Sequence, residues 1–570
     1  MIRSVLRFGL VSSLLLLMGS SVFAQGPKTT TTPAGQTTIR TEAHIVVLDV
    51  MVTDKQGVPV HGLTAADFVI RENGGPQTIK SMDEHTGIIG ASQLQAPNVH
   101  TNRPAPGADV WNVVLYDQFN TPQADQQRAR AELVRFANAL APKGNVALVS
   151  FGGGLRVVSP FSAGQPGMVK TLAAGALQFH HGPLLQPYNA DEQFDLEQYL
   201  SKLPAAAATA VRNNHRETEM GALEVRVKDT LGAFSAIAQW LQHYPGKKNV
   251  FWLSAGFPIT AEPQQFRGQD GVSGSAVFRE DYFGLQQRVN QQLATARIAI
   301  FPLDVRGNMG AGNEGIDTAD VKGAQYAEPG GGQLLNDDQG QAHDRIGQGY
   351  VEMNDVAKAT GGIARYNRND LADVLAEQFR QGQSFYSMSY TPSDDHYDGK
   401  YRKIELTSAN KSYRLSYRRG YYALKDTGVQ PNAIDAFTLA LKLDAPPATG
   451  LIFSSRFIRH SGDGHAADEK ASLVYTIDVS GLVFTPAAGG VESAGVDCAV
   501  VEYDASGRLL GTSQIHVDGH VRPGQLERVK AAGLTATQDF ALAPGAAALA
   551  VGVRDHTTGN FGAVHFNLAQ

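Results

Sequence analysis

Cysteine is almost absent: Cys498 is the single one in 570 residues. No intrachain disulfide can form, and no cysteine-based zinc or iron–sulfur site can assemble. A basic excess is missing too. The chain has 49 Lys and Arg against 55 Asp and Glu, a net charge of −6, which argues against nucleic-acid binding and its basic footprint. Charged residues make up only 18% and hydrophobic ones 42%, which excludes a mainly disordered chain. Beyond the N-terminus no run is apolar enough to span a bilayer. His-Glu-x-x-His, Gly-x-Ser-x-Gly and Walker patterns do not occur. Stability must come from buried apolar area, for which the chain is long enough.

What is present begins with an export signal. Arg3 and Arg7 flank an apolar run from Phe8 to Met18, and Ser21-Val-Phe-Ala24 offers small residues for cleavage after Ala24. Residues 1–24 therefore read as a signal peptide, and the chain as exported, periplasmic or extracellular, with no integral membrane segment after cleavage. Residues 25–43 read as a Thr/Pro/Gly linker.

The pattern then changes three times. Residues 44–88, with Ile45-Val-Val-Leu-Asp-Val-Met-Val-Thr53, predict a small antiparallel β unit. Residues 108–383 alternate short apolar strands with helices, which predicts an α/β domain with a doubly wound, mainly parallel sheet. Its strands start at Val110, Asn145, Leu155, Asn249, Ile298 and Ile363, and a long helix runs from about Glu217 to His243. Stretches near 180–210, 260–280 and 306–348 read as loop insertions. Strands return at 384–424, and both flanking pieces are too small to fold alone. They are expected to pair with each other, with the α/β domain inserted between them. Residues 432–570 predict a C-terminal β-sandwich.

In open α/β sheets, ligands bind beyond the carboxyl ends of the strands. The first of these strands ends in Asp117-Gln-Phe-Asn-Thr121, and the fourth in Leu253-Ser-Ala-Gly-Phe-Pro258. An Asp-led loop and a Ser-Ala-Gly loop in these places resemble a von Willebrand factor A (vWA) domain. Further stretches narrow the likeness: Val50-Met-Val-Thr-Asp, Gly62-Leu-Thr-Ala-Ala-Asp-Phe, Pro245 to Pro258, Ala359-Thr-Gly-Gly and Tyr413-Arg-Leu-Ser-Tyr-Arg-Arg-Gly-Tyr-Tyr422. Across 44–423 the chain is similar to the secreted VWFA-related domain proteins abundant in acidobacteria. The resemblance implies a fold, an export route and a metal-ion-dependent adhesion site, in which Mg²⁺ keeps one position open for a partner's carboxylate.

Carried over by position, Asp117 keeps the motif's first Asp and Thr121 its second hydroxyl. Thr230, on the long helix, is the counterpart of the middle-loop Thr, and Ser254 stands beside the lost second Asp. Phe119 and Ala255 replace a Ser and an Asp, so the site is degenerate. Asp117, Thr121, Thr230 and Ser254 are the candidate ligands for Mg²⁺ or another divalent cation. The competing reading makes Asp117 a cap of the following turn and helix.

Other candidates are weaker. Asp394-to-Glu405 approximates a calcium loop but reads as a hairpin turn. His180, His181 and His215 read as solvated loop histidines. The Tyr/Arg run at 413–422 reads as buried Tyr alternating with exposed Arg. The function expected is that of an exported non-enzymatic module, which binds a protein partner, through an acidic side chain if metal is present, at the top face of the α/β domain. The alternatives are a metal-independent assembly factor of the cell envelope and, more weakly, an exported hydrolase.

Overall fold

The computed structural model describes residues 45–86, 98–103, 110–140, 146–177, 198–258, 282–307, 349–424, 435–460, 469–486 and 491–568, apart from single positions or pairs within them. His180 and His181 lie outside these residues, as do most of the loop insertions.

Four apolar strands, Val110–Asp117, Val146–Phe151, Lys247–Ser254 and Ile298–Asp304, are buried at every position. They pair in parallel, and Leu155–Ser159 adds an antiparallel edge. The spatial order is 298–304, 247–254, 110–117, 146–151, 155–159. Strands buried on both sides need cover on both sides. One face packs Leu133, Phe136, Met168 and Leu375 from helices Gln123–Ala139, Gly164–Ala173 and Leu371–Gln383. The other packs Phe234, Ile237, Leu293 and Met353 from helices Ala205–Leu241, Tyr282–Thr295 and 349–360.

Two expectations change here. The long helix starts at Ala205 rather than near Glu217, so His215 is an exposed helix residue and not a loop residue. The strand expected at Ile363 is a single parallel bridge between Leu303 and Arg365. The preceding Thr-Gly-Gly explains how tightly that segment docks. Thr360 Oγ1 accepts from Ile300 N at 2.9 Å, and a Cβ on Gly362 would stand 1.8 Å from the Ile300 carbonyl oxygen.

Around this unit the chain pairs across long sequence distances. Val46–Thr53 lies antiparallel to Phe385–Tyr390 and Arg414–Ser416, and Phe68–Glu72 to Tyr401–Ser408. The two four-stranded sheets so formed share a core of Leu48, Val50, Ile70, Tyr386, Tyr390, Ile404 and Tyr417. The Asp394–Lys400 turn is no hairpin: it joins Phe385–Tyr390 in one sheet to Tyr401–Ser408 in the other. The Arg402 guanidinium sits in that turn, 2.9 Å from Asp394 and 3.0 Å from Asp398, where a calcium ion would need to be.

Toward the C-terminus, strands Phe453–His460, Lys470–Ile477 and Leu534–Ala541 form one sheet, and Glu492–Tyr503, Leu509–Val521, Ala548–Asp555 and Phe561–Asn567 belong to another. Leu473, Tyr475, Val496, Cys498, Val500 and Val551 fill the space between them. Burial pushes the Cys498 thiol up to about 12, so it behaves as a core residue. Two details depart from an all-β segment made only of residues 432–570. A short helix, Ala436–Ala440, precedes the strands. Strand Val99–Thr101, from ahead of the α/β sheet, edges Phe453–His460. The larger sheet's other face, with Val501, Tyr503, Ala550 and Phe561, joins the apolar cluster of the long helix.

Candidate functional site

The strand order reverses direction at Val110–Asp117, where the chain leaves one neighbour for the other. Such a switch point opens a crevice at the carboxyl ends of the strands. The structure brings all four candidate side chains to it, and they form a closed hydrogen-bond knot. Asp117 Oδ1 accepts from Asn120 N at 2.9 Å. Asp117 Oδ2 accepts from Asn120 Nδ2 at 2.9 Å and from Trp252 Nε1 at 2.9 Å. Ser254 Oγ lies 3.0 Å from Asp117 Oδ2 and 2.6 Å from the Gly256 carbonyl oxygen, either of which can take its one proton. Thr230 Oγ1 accepts from Asn120 Nδ2 at 3.0 Å, and Thr121 Oγ1 from Ala255 N at 3.1 Å. Asp117 thus caps the 117–120 turn. The helix that follows starts after Pro122 and takes no cap from it.

A residue that carried no signal in the sequence completes the knot. Arg226, one helical turn before Thr230, donates from Nε to Asn120 Oδ1 at 3.0 Å. Gly256 makes room for it: a Cβ there would lie 2.4 Å from Arg226 Nη2. Burial lowers the guanidinium's pKa, while the charges of Asp117 and Glu352 pull the other way. Burial raises the Asp117 carboxyl above the usual carboxylate range, against the pull of hydrogen bonds from Asn120, Trp252 and Ser254.

Does this donor set fit a divalent cation? Mg²⁺ asks for six oxygens at about 2.0–2.1 Å and keeps several waters. Asp117 and Ser254 are fully buried, Thr230 is 2% exposed and Thr121 5%, so no water reaches a metal held by them. A cation at Asp117 Oδ2 would displace three donors and sit beside the fixed charge of Arg226. Phe119, in place of a ligand hydroxyl, packs its ring 5.0 Å from that of Phe151. As arranged, Asp117, Thr121, Thr230 and Ser254 do not fit Mg²⁺.

More of the rim is cationic and aromatic. Arg306 forks onto Asp304, with Nε 3.0 Å and Nη2 2.8 Å from its carboxylate oxygens. Arg128 donates to the Arg306 carbonyl oxygen at 2.9 Å. Tyr350 and Tyr366 stack at 4.2 Å beside them, with Arg306 over Tyr350 at 5.8 Å. A separate set of metal-ligand types, Asp497 and His516 on C-terminal strands and His556 just past the end of Ala548–Asp555, has one ligand atom from each within 4.8 Å of the others.

No protein-family model matches the chain, and no curated protein matches it. Solved structures do. A von Willebrand factor type A protein from Catenulispora acidiphila matches over 80% of this chain and 74% of its own, at 10% identity and TM-score 0.23. The pilus adhesin SpaC from Lactobacillus rhamnosus GG matches over 88% and 57%, at 10% identity and TM-score 0.23. An aerotolerance-related membrane protein from Bacteroides fragilis matches over 48% and 98%, at 11% identity and TM-score 0.23. At that TM-score none of these likenesses bears on what the chain does. Among the described residues no helix is long and apolar enough to cross a membrane.

Proposed function

We propose that the chain is an exported, non-enzymatic binding protein whose vWA-type domain docks a protein partner at the carboxyl rim of its sheet, without a metal ion. In this reading the signal peptide ends at Ala24, 108–383 is the binding domain, 44–88 and 384–424 form its β companion, and 432–570 is a sandwich. One observation carries it: Arg226 donates to Asn120 Oδ1 at 3.0 Å and interacts with the charge of Asp117, so the switch point already holds a positive group of its own. An acidic side chain of a partner then meets a half-buried guanidinium, and Arg and Tyr around it are the residue types that docking surfaces favour. The rim's polar atoms also support the non-enzymatic part. Ser254 Oγ is fully buried, with its one proton held between Asp117 Oδ2 and the Gly256 carbonyl oxygen, so it is not presented to a substrate.

The test is capture from the native envelope with the tagged mature chain, in EDTA and in Mg²⁺, using wild type and Arg226→Glu. The reading expects one partner, retained in EDTA and lost on charge reversal. Capture that needs Mg²⁺, or that survives Arg226→Glu unchanged, overturns it.

A further inference from the structure

Three neighbouring C-terminal strands gather a second polar cluster. Asp497 sits opposite His516 in one antiparallel ladder and opposite Arg554 in the next. Residues two apart share a face, which adds Asp518 beside His516 and His556 beside Arg554. His556 N donates to the Gly495 carbonyl oxygen at 2.9 Å, which holds it at the strand end. Gly495 keeps the floor open: a Cβ there would lie 3.1 Å from His516 Cε1 and 3.3 Å from Asp518 Oδ1.

The geometry has the parts of a metal site. His516 Nδ1 lies 2.7 Å from Asp497 Oδ1, and His556 Nδ1 lies 3.5 Å from Asp497 Oδ2. The two rings are 4.8 Å apart, 70° from coplanar, and 43% and 65% exposed. Two outer contacts orient the ligand atoms. His516 Nε2 lies 3.2 Å from Asp518 Oδ1, so the nitrogen that faces away from Asp497 has its own carboxylate. Arg554 Nη2 donates to Asp497 Oδ2 at 3.0 Å, and its guanidinium lies 5.0 Å over the Phe437 ring. A ligating His commonly gives its second N–H to a carboxylate in this way.

We propose that Asp497, His516 and His556 form a surface site for a zinc-class divalent cation, with Asp518 and Arg554 as positioning residues. Two imidazoles and one carboxylate are the donor set of Zn²⁺ and its neighbours, whereas Mg²⁺ favours oxygen alone. Bonds of about 2.0–2.2 Å to a tetrahedral ion place ligand atoms roughly 3.3 Å apart; the imidazole nitrogens lie 2.7 and 3.5 Å from the two Asp497 oxygens, and one ligand atom from each residue lies within 4.8 Å of the others, so a modest closing of the rings is needed. Both exposed rings can turn onto the ion. Asp497 and Asp518 bring two carboxylates to the cluster against the one guanidinium of Arg554, so with neutral imidazoles the site is net negative before metal enters. The ion would tie strands Glu492–Tyr503, Leu509–Val521 and Ala548–Asp555 together at one end.

Calorimetric titration of the full mature chain with Zn²⁺ at neutral pH tests this. One saturable site is expected. Its affinity should fall at least tenfold in His516→Ala and in His556→Ala, and about tenfold in Asp518→Asn. Asp117→Asn and the double variant His180→Ala/His181→Ala should bind as wild type does. The Co²⁺-loaded chain should show visible ligand-field bands that His516→Ala abolishes, and circular dichroism should confirm that each variant is folded. No saturable binding, or binding that both His516→Ala and His556→Ala leave intact, overturns the proposal.

Discussion

Two carboxylates in this chain illustrate opposite fates of a ligand-type residue. Asp117 is sealed, and its oxygens receive hydrogen bonds from Asn120, Trp252 and Ser254. Asp497 stands beside exposed imidazoles that can turn toward an incoming ion. The first sits where a motif says metal, and the second where no motif points. Both carboxylates already have partners, but two of those on Asp497, His516 and His556, are exposed imidazoles that can themselves ligate an ion, whereas the partners of Asp117 are buried amide, indole and hydroxyl groups.

The largest expected difference is in stability. Asp117→Ala leaves Asn120 N and Trp252 Nε1 buried without this acceptor and Asn120 Nδ2 with Thr230 Oγ1 alone, which should cost about 4 kcal/mol. Urea denaturation measures it, and a loss below about 1 kcal/mol would break the contrast between the two regions. A second buried charge sharpens the point from the other side. Lys247 Nζ is buried with no hydrogen-bond partner, 5.2 Å over the Phe385 ring. Burial above all, against the pull of Asp49, lowers its pKa from 10.5 to about 8. The unfolded chain therefore takes up this proton first as the pH falls. The Lys247 contribution to stability falls as the pH drops from 10.5 to 8 and is constant below, and Lys248, lowered by burial to about 7, adds a like contribution that continues to about pH 7. Lys247→Met should make the slope between pH 10.5 and 8 shallower, leaving the Lys248 contribution, and gain about 3 kcal/mol at neutral pH. Thermal melts across that range decide it: an unchanged slope would show Lys247 paired.

Smaller effects separate the knot from the surface cluster. Gly256→Ala should push Arg226 off Asn120 and cost about 1 kcal/mol, visible in the denaturation midpoint and in weaker partner capture. His516→Ala should change metal-free stability by no more than about 0.5 kcal/mol, as surface substitutions do, yet remove zinc-dependent stabilisation in the same melt. A large loss without metal would mean that the cluster is structural.

Much of the α/β sheet was legible because its strands are short, mainly apolar runs rich in Val, Ile and Leu, as in Val146–Phe151 and Ile298–Asp304. Val99–Thr101 was not, being three residues long with a polar His100 at its centre. The start of the long helix was missed because Ala205–Ala208 follows a proline and carries no apolar periodicity. At the rim, Asp117, Thr121 and Ser254 could be read from strand ends, but Arg226 could not. Its role depends on the missing side chain of Gly256, which only packing reveals. The Asp497 cluster was hidden by register. Counting out from the Asp504–Gly507 turn sets Asp497 against Ile515. A bulge at Glu502/Tyr503 shifts the pairing by one and brings His516 opposite instead.

The central claim is that the rim of the sheet is held by its own side chains, with Arg226 as its positive group. Mg²⁺ and Mn²⁺ titration of wild type and Asp117→Asn by calorimetry addresses it most directly. The account predicts no saturable heat from either ion that Asp117→Asn removes. One equivalent of Mg²⁺ bound by wild type and lost in Asp117→Asn would contradict it.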